Sequence, residues 1–336
     1  MKSFDLSLLS KYRTQIMGVA AIMILLCHSN VYHVAWPDLI ATIIMLGNLG
    51  VDLFLFVSGI GCYYSLSKWG GQNLCDWYKI RLKRIALPYA IYFCMQCVIF
   101  ALLGILDFKL ELWNISTLGF WVDHTGTWYI ALLLPLYILT PFLYKLLDTG
   151  DLKRWMIAIT ICFTLTIINH PSMNPCSEGV FSDIISNIQF AFVRVPSFVL
   201  GMSLAPYVKS SKKIDSLFTI GGMIGLTIFY HFLFRSASFE FIVVLPICMM
   251  ICLICNVIKK IKIVDCVLTT LGSVSLELYL TNGTFQTAMH NIAERIDLGA
   301  LARGRYFEYF MVIALGIMLS LSMQRLSSLI SNNSRK

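Results

Sequence analysis

The chain has 336 residues, of which 58% are hydrophobic and 13% are charged, whereas soluble domains carry about 25% charged residues. Long apolar stretches recur as far as the C-terminus, which excludes a soluble protein and predicts an all-α polytopic membrane helix bundle. The formal net charge of +8 does not indicate a nucleic-acid partner, because the basic residues lie mainly between apolar stretches, where they meet anionic lipid headgroups. We expect a single integral-membrane domain over residues 1–336.

About ten apolar runs are long enough to cross a bilayer, which takes about 20 residues in a helix. The fifth run is short and the ninth is the most polar, so nine or eleven spans are alternatives. The predicted runs cover residues 15–34, 39–65, 83–106, 127–147, 154–169, 186–206, 217–234, 239–258, 266–289 and 306–328.

The distribution of lysine and arginine predicts the orientation of these spans. Of the 26 basic residues, 20 lie in the segments on one side and 5 on the other, while Arg194 lies within a span. Because cytoplasmic connections carry an excess of basic residues, both termini are predicted to be cytoplasmic. The connections near 107–126 and 170–185 are then expected to lie outside and are long enough to hold ordered structure.

Four ionisable residues fall inside the predicted spans: His28, Asp52, Arg194 and Glu277. A titratable group at membrane depth is unfavourable, so each is a candidate functional residue, and together they predict a polar cavity. His28 and Asp52 on adjacent helices suggest a general base and its orienting partner. The alternatives are a histidine hydrogen-bonded near the interface and a buried ion pair between Asp52 and Arg194.

A basic segment follows the second span and contains Arg81 and Arg84. Arginines three residues apart share one face of a helix, and their guanidinium groups match the oxygens of a phosphate. The alternative explanation, favoured when the segment is considered alone, is a cluster of positive charge on the cytoplasmic side.

Aromatic residues crowd the connection before the fourth span, with Trp128 and Tyr129 at the start of that span. An aromatic belt at the membrane interface is the favoured interpretation, and a surface on which a sugar stacks is the alternative.

The 11 cysteines are scattered and lie mostly in apolar runs. No spacing typical of a disulfide framework or a metal site is present, so we expect buried thiols and no bound metal.

Six segments, spread in order along nearly the whole chain, match short motifs of one known family of membrane proteins. They are Gly18–His28, Gly50–Phe54 with Ser58-Gly59, Arg81-x-x-Arg84 before Pro88-Tyr89, Trp128-Tyr129 with Tyr137 and Pro141, Arg194–Gly201, and Leu271–Leu280. Together they resemble the acyltransferase-3 family of membrane proteins, which transfer acyl groups, usually acetyl, from acyl-coenzyme A to sugars of cell-surface glycans.

The resemblance implies that His28 is the essential histidine and that Arg81 and Arg84 hold the coenzyme. It implies O-acyl transfer, with acetyl-coenzyme A as the expected donor and no permanently bound cofactor. The acceptor is expected to be a surface polysaccharide or a lipid-linked sugar, and the location a bacterial cytoplasmic membrane. Asp52 is assigned to catalysis together with His28. Arg13 and Arg194 are assigned to the binding of the donor together with Arg81 and Arg84. The acceptor is assigned to Trp128, Tyr129 and Glu277.

Two positions depart from the family pattern. Met17 stands where the family often has a basic residue, and Arg13 lies one turn earlier on the same face. Asn282 stands where the family often has a histidine, a change we expect to be tolerated. The alternative functions are a transporter or flippase for a glycan or small polar solute, and a sensor or assembly subunit that has lost activity.

Overall fold

A computed structural model describes residues 3–30, 34–69, 73–170, 179–215, 221–222, 225, 240–295 and 306–333. The predicted span at 217–234 lies almost wholly outside these residues. The described chain is mainly α-helical, which confirms an all-α helix bundle, and its one sheet pairs two short antiparallel strands.

The helices follow the apolar runs closely, and a short 3-10 turn joins α3 to α4. The strands are β1 (Ser3–Asp5) and β2 (Lys213–Asp215), and the helices are α1 (Ser7–Lys11), α2 (Arg13–His28), α3 (Asp38–Met45), α4 (Leu49–Trp69), α5 (Leu74–Leu103), α6 (Phe108–Ile115), α7 (Leu118–Asp123), α8 (Trp128–Leu147), α9 (Asp151–Ile168), α10 (Val180–Phe192), α11 (Val195–Lys209), α12 (Phe241–Ile258), α13 (Lys262–Ser273), α14 (Ser275–Arg295) and α15 (Tyr306–Asn333).

Fewer segments than the predicted ten are long and apolar enough to span a membrane on their own. Among the described residues six qualify, and α13 with α14 forms a seventh if the pair, bent by 71°, is one span. Helix α2 is apolar but has only 16 residues, and α9 begins with three charged residues in four positions. The six are Asp38–Trp69, Leu74–Leu103, Trp128–Leu147, Val180–Lys209, Phe241–Ile258 and Tyr306–Ser331.

Segments predicted to lie on the same side of the membrane contact one another. Strand β1 pairs with β2, and the Tyr12 hydroxyl donates to Asn256 Oδ1 at 3.0 Å, so two predicted cytoplasmic segments and the last turn of the predicted span 239–258 meet at one end. At the other end, His124 Nδ1 lies 2.6 Å from Asn187 Oδ1. The bundle therefore has a basic end and an opposite end, and the assignment of the basic end to the cytoplasm stays a prediction.

Helix α4 lies at the centre of the bundle. Its apolar residues are buried on all sides, with Leu53, Leu55 and Phe56 fully enclosed between neighbouring helices. A helix that is apolar all round is expected in such a position. Its neighbours α2, α8 and α11 are thereby held around one core.

Helices α2 and α13 approach so closely that their backbones touch at two glycines. A Cβ atom on Gly18 would clash with the carbonyl oxygen of Leu268, and one on Gly272 would clash with that of Thr14. Small residues allow this close approach in membrane helix pairs. The contact fixes α2, whose last residue is His28, against the segment that leads into α14.

We expect Gly272→Ala to lower the thermal stability of the detergent-solubilised protein, because the added methyl group forces α13 away from α2. Overpacking of this kind costs about 1–3 kcal/mol. Gly150→Ala is the matched control, since a Cβ atom there meets no atom within 4 Å. Equal melting temperatures for the two variants in a thermal unfolding assay would contradict the close contact.

Candidate active site

Three adjoining cavities lie one after another between α2, α5, α8 and α14. The inner cavity, at the basic end, has a volume of about 170 Å³, and the outer cavity, at the opposite end, about 620 Å³. Between them lies a junction of about 10 Å³, which is room for roughly one water-sized group. Tyr279 lines all three cavities, and His28 lines the junction and the outer cavity.

His28 is thus placed where the two larger cavities meet. It is the last residue of α2, and α2 is apolar before it, so the ring is presented at the end of a buried helix. Ile24, one turn earlier, lines both the inner cavity and the junction. The helix therefore runs along the connection and ends with its titratable group at the opening to the outer cavity.

The partner of His28 is Asn282 on α14. Asn282 Nδ2 lies 2.5 Å from His28 Nδ1, and the amide is only 3% exposed. The amide oxygen Oδ1 has no hydrogen-bond partner among the described residues. Because the oxygen and nitrogen of an amide are assigned from their hydrogen bonds, the amide can be placed either way round.

The orientation of this amide decides which nitrogen of His28 carries the proton. If Nδ2 donates to Nδ1, the neutral ring carries its proton on Nε2 and cannot accept one there. If Oδ1 accepts from Nδ1–H, then Nε2 is left as a proton acceptor. A general-base role for His28 therefore requires the second orientation.

The structure does not place Asp52 with His28, which corrects the expected orienting role. Asp52 accepts hydrogen bonds from Arg194 Nη1 and, at 2.6 Å, from Ser197 Oγ. Arg194 also donates to Glu240 at 2.7 Å, so one guanidinium is held between two carboxylates. Both Asp52 and Arg194 are buried and line none of the three cavities.

The alternative of an Asp52–Arg194 ion pair is therefore the one that the structure shows. A buried charge is favourable only when it is paired and hydrogen-bonded, and this cluster satisfies that condition between α4, α11 and the start of α12. The expectation that Arg194 contacts the donor has no support in this arrangement, because its guanidinium is engaged by the two carboxylates away from the cavities. Among the described residues, no group of three or more His, Cys, Asp and Glu side chains is arranged to hold a metal ion.

Three arginines line the inner cavity: Arg13, Arg81 and Arg84. None of them forms a salt bridge within the described part of the chain, in contrast to Arg194. Arg13 Nε is buried without a hydrogen-bond partner, and Met17 lines the same cavity. Cations gathered without a counter-charge form a site suited to an anionic ligand.

Arg81 and Arg84 differ in how far the fold itself engages them. Arg81 is buried and donates to the Gly61 carbonyl at 2.8 Å and to Ser65 Oγ at 2.7 Å, so part of its guanidinium ties α5 to α4. Arg84 is exposed. It also lines a neighbouring basic groove of about 520 Å³ that contains Lys79 and Lys83.

The three residues assigned to the acceptor lie in different parts of the structure. Trp128 lines the outer cavity, whereas Tyr129 lines the inner cavity and donates its backbone N–H to the Tyr279 hydroxyl at 3.0 Å. Glu277 is buried but lines none of the three cavities, so its expected contact with the acceptor is not supported.

Most of the polar residues that line the outer cavity were not selected from the sequence. Gln96 lies within an apolar run on α5, and Glu111 lies on α6, in a connection outside the predicted spans. In the structure Gln96 Nε2 donates to Glu111 Oε2 at 2.6 Å, and Thr284 Oγ1 donates to Gln96 Oε1 at 2.9 Å. A glutamine inside a predicted span was the one signal available.

The family model described as an acyltransferase domain matches residues 16–325, nearly the whole chain. The chain belongs to the acyltransferase-3 family. The match includes every residue of the junction and nearly all of the two cavities, with Arg13 just before it. No curated protein and no solved structure matches the chain. The protein is therefore a membrane acyltransferase by family, and the match gives no support to the transporter alternative.

For this acyltransferase we expect Arg194→Ala to lower the free energy of unfolding by about 3–5 kcal/mol, because two buried carboxylates lose their shared cation. Asp52→Asn should be milder, since the amide oxygen still accepts from Arg194 while the amide nitrogen donates to the Ser197 hydroxyl, and it should retain acyl transfer per mole of folded protein. Asp76→Asn, which alters an exposed ion pair with Lys79, is the control. A stable Asp52→Asn protein without activity would restore a catalytic role for Asp52.

Proposed function

We propose that the protein transfers an acyl group, acetyl in the first place, from acyl-coenzyme A to a sugar hydroxyl. The donor would enter the inner cavity and the acceptor the outer cavity. The acceptor would belong to a surface polysaccharide or its lipid-linked precursor, at the cytoplasmic membrane of a bacterium. The observation that carries the proposal is the position of His28, where the two cavities meet.

The donor is assigned to the basic end on the chemistry of its phosphates. Arg84 lines both the inner cavity and the neighbouring groove with Lys79 and Lys83, so a coenzyme can bridge the two sites. Its phosphates would meet these cations, and its thioester arm would follow the inner cavity toward Tyr279 and His28. Arg13 supplies a further guanidinium on this path, and among the described residues it forms no salt bridge.

The transfer requires one positioned base. With Asn282 Oδ1 holding Nδ1–H, His28 Nε2 takes the proton of the sugar hydroxyl as its oxygen attacks the thioester carbonyl. The new C–O bond forms, the C–S bond breaks, and the proton passes from Nε2 to the coenzyme thiolate. A positioned base of this kind contributes about 10²–10⁴-fold. Alternatively, Nε2 first attacks the thioester carbonyl, and the C–S bond breaks to release the coenzyme thiolate. The hydroxyl oxygen then takes the acyl group as the bond to Nε2 breaks, and the hydroxyl proton passes to the thiolate.

The size of the junction supports chemistry over passage of a solute. A space for roughly one water-sized group admits the methyl group of an acetyl chain but not a sugar ring. Its walls include the apolar side chains of Ala21, Phe54 and Leu278, which suit a methyl group. The geometry thus favours an acyl group moving between cavities while the two larger molecules stay in their own.

The catalytic prediction concerns His28 and Asn282. We expect His28→Gln to abolish acetyl transfer with near-normal expression, because glutamine retains polarity but accepts no proton at neutral pH. Asn282→Asp, which keeps an acceptor toward Nδ1–H, should retain more activity than Asn282→Leu and shift the pH profile. The assay is transfer of radiolabelled acetyl to a glycan acceptor by purified protein, and substantial transfer by His28→Gln would contradict the mechanism.

The donor prediction concerns Arg84. A charge-assisted hydrogen bond contributes about 1.5–3 kcal/mol, so Arg84→Ala should weaken acetyl-coenzyme A binding by about tenfold or more. Arg81→Ala is a poorer test because Arg81 also holds α5 to α4. Arg325→Ala removes a positive charge from an exposed position of α15 outside both lining sets and is the control. Equal affinities of the two variants for acetyl-coenzyme A would mean that Arg84 serves only as part of the positive charge on the cytoplasmic side.

A further inference from the structure

The outer cavity is acidic although the chain as a whole is basic. Among the described residues that line it, Asp107 and Glu111 are carboxylates and there is no lysine or arginine. The inner cavity shows the reverse pattern, with three arginines and no carboxylate. The two ends of the path therefore carry opposite charges, and each is suited to a different ligand.

Glu111 is held in place rather than free to turn away from the cavity. It is only 6% exposed, it accepts from Gln96, and Gln96 in turn accepts from Thr284. Burial raises the pKa of Glu111, the hydrogen bond from Gln96 opposes this by stabilising the ionised form, and the nearby Asp107 carboxylate acts in the same direction as burial. An environment that disfavours negative charge on a resident carboxyl also disfavours it on a ligand.

A second observation is that a polar atom in the wall of the outer cavity lacks a hydrogen-bond partner. Asn282 lines the cavity and is almost fully buried, and only one of its amide atoms contacts His28. With the amide placed so that Nδ2 faces His28, Oδ1 has no hydrogen-bond partner among the described residues. A hydroxyl satisfies either atom, because it both donates and accepts. Trp128 adds an aromatic wall on which the apolar face of a sugar ring can lie.

We propose that the outer cavity binds an uncharged sugar and excludes acidic sugars, such as uronic acids and phosphorylated sugars. This inference rests on the proposed function for the identity of the acceptor. Glu111, Gln96 and Asn282 bind hydroxyl groups beside His28, and Asp107 with Glu111 repels an anionic acceptor.

The charge of the cavity is testable without any acyl transfer. Gly283 lines the cavity, is exposed, and has open space where a Cβ atom would lie. In the full-length Gly283→Cys protein, the introduced thiol is reacted with cationic and anionic methanethiosulfonates, and labelling is followed at that peptide by mass spectrometry. After normalisation to a free thiol, the cationic reagent should react about tenfold faster or more.

Matched variants identify the source of this preference. Glu111→Gln should reduce the ratio of the two rates, whereas Asp123→Asn should not, because Asp123 lies in the same connection but does not line the cavity. Equal rates, or faster reaction of the anionic reagent, would overturn the inference.

The acceptor preference is then measured with methyl β-glucoside and methyl β-glucuronide, which differ only at C6, where the glucoside has a hydroxymethyl group and the glucuronide a carboxylate; acylation is compared at the shared ring hydroxyls. With acetyl-coenzyme A, the purified protein should acylate the glucoside about tenfold more efficiently or better, and Glu111→Gln should narrow the difference. Equal acylation of both would overturn the inference and leave the proposed function intact. Acylation of neither, with the thiol ratio as expected, would support charge selection and contradict the proposed function.

Discussion

The contact between His28 and Asn282 joins the two helices that separate the inner cavity from the outer one. Helix α2 approaches the contact along an apolar path, and α14 reaches it after the 71° bend that follows α13. The first turns of α14 line the inner cavity and its middle turns line the outer one. If this contact were lost, the junction would open and the titratable ring would lose its only described polar partner. The close packing of α2 on α13 is therefore as important for the site as the site residues themselves.

The charges of the bundle are divided according to their task. Arg194 is neutralised by Asp52 and Glu240 and serves to hold helices together. Within the described part of the chain, Arg13 and Arg84 form no such ion pair and are available to an anionic ligand. The same side-chain type thus has a structural role in one place and a binding role in another, and only the presence of a counter-charge distinguishes the two.

Much of the fold was predictable because membrane helices are marked by local composition. Helices occupy nine of the ten predicted runs, and the remaining run, 217–234, lies almost wholly outside the described residues. The ends of the helices were less predictable. Helix α9 includes charged residues at its start, and the bend before α14 depends on packing against neighbouring helices. His28 and the inner arginines were also found from the sequence, since a polar group in an apolar run and paired arginines are local signals.

The pairings within the site were not predictable from local pattern. Asp52 and Arg194 are 142 residues apart, and nothing in either run decides whether Asp52 meets Arg194 or His28. Asn282 was noted only as a departure from the family pattern, yet it is the partner of His28. Glu277 has the expected burial but lies away from the cavities, because a helix places only some of its residues on the face that the cavity occupies.

The central claim is that donor and acceptor approach His28 from opposite ends of the bundle. It is tested most directly in sealed proteoliposomes that enclose radiolabelled acetyl-coenzyme A, with an acceptor that the purified protein acylates supplied only outside. We predict labelled acceptor in the external medium, and none with His28→Gln. Labelled product that forms only when donor and acceptor are on the same side of the membrane would contradict the account.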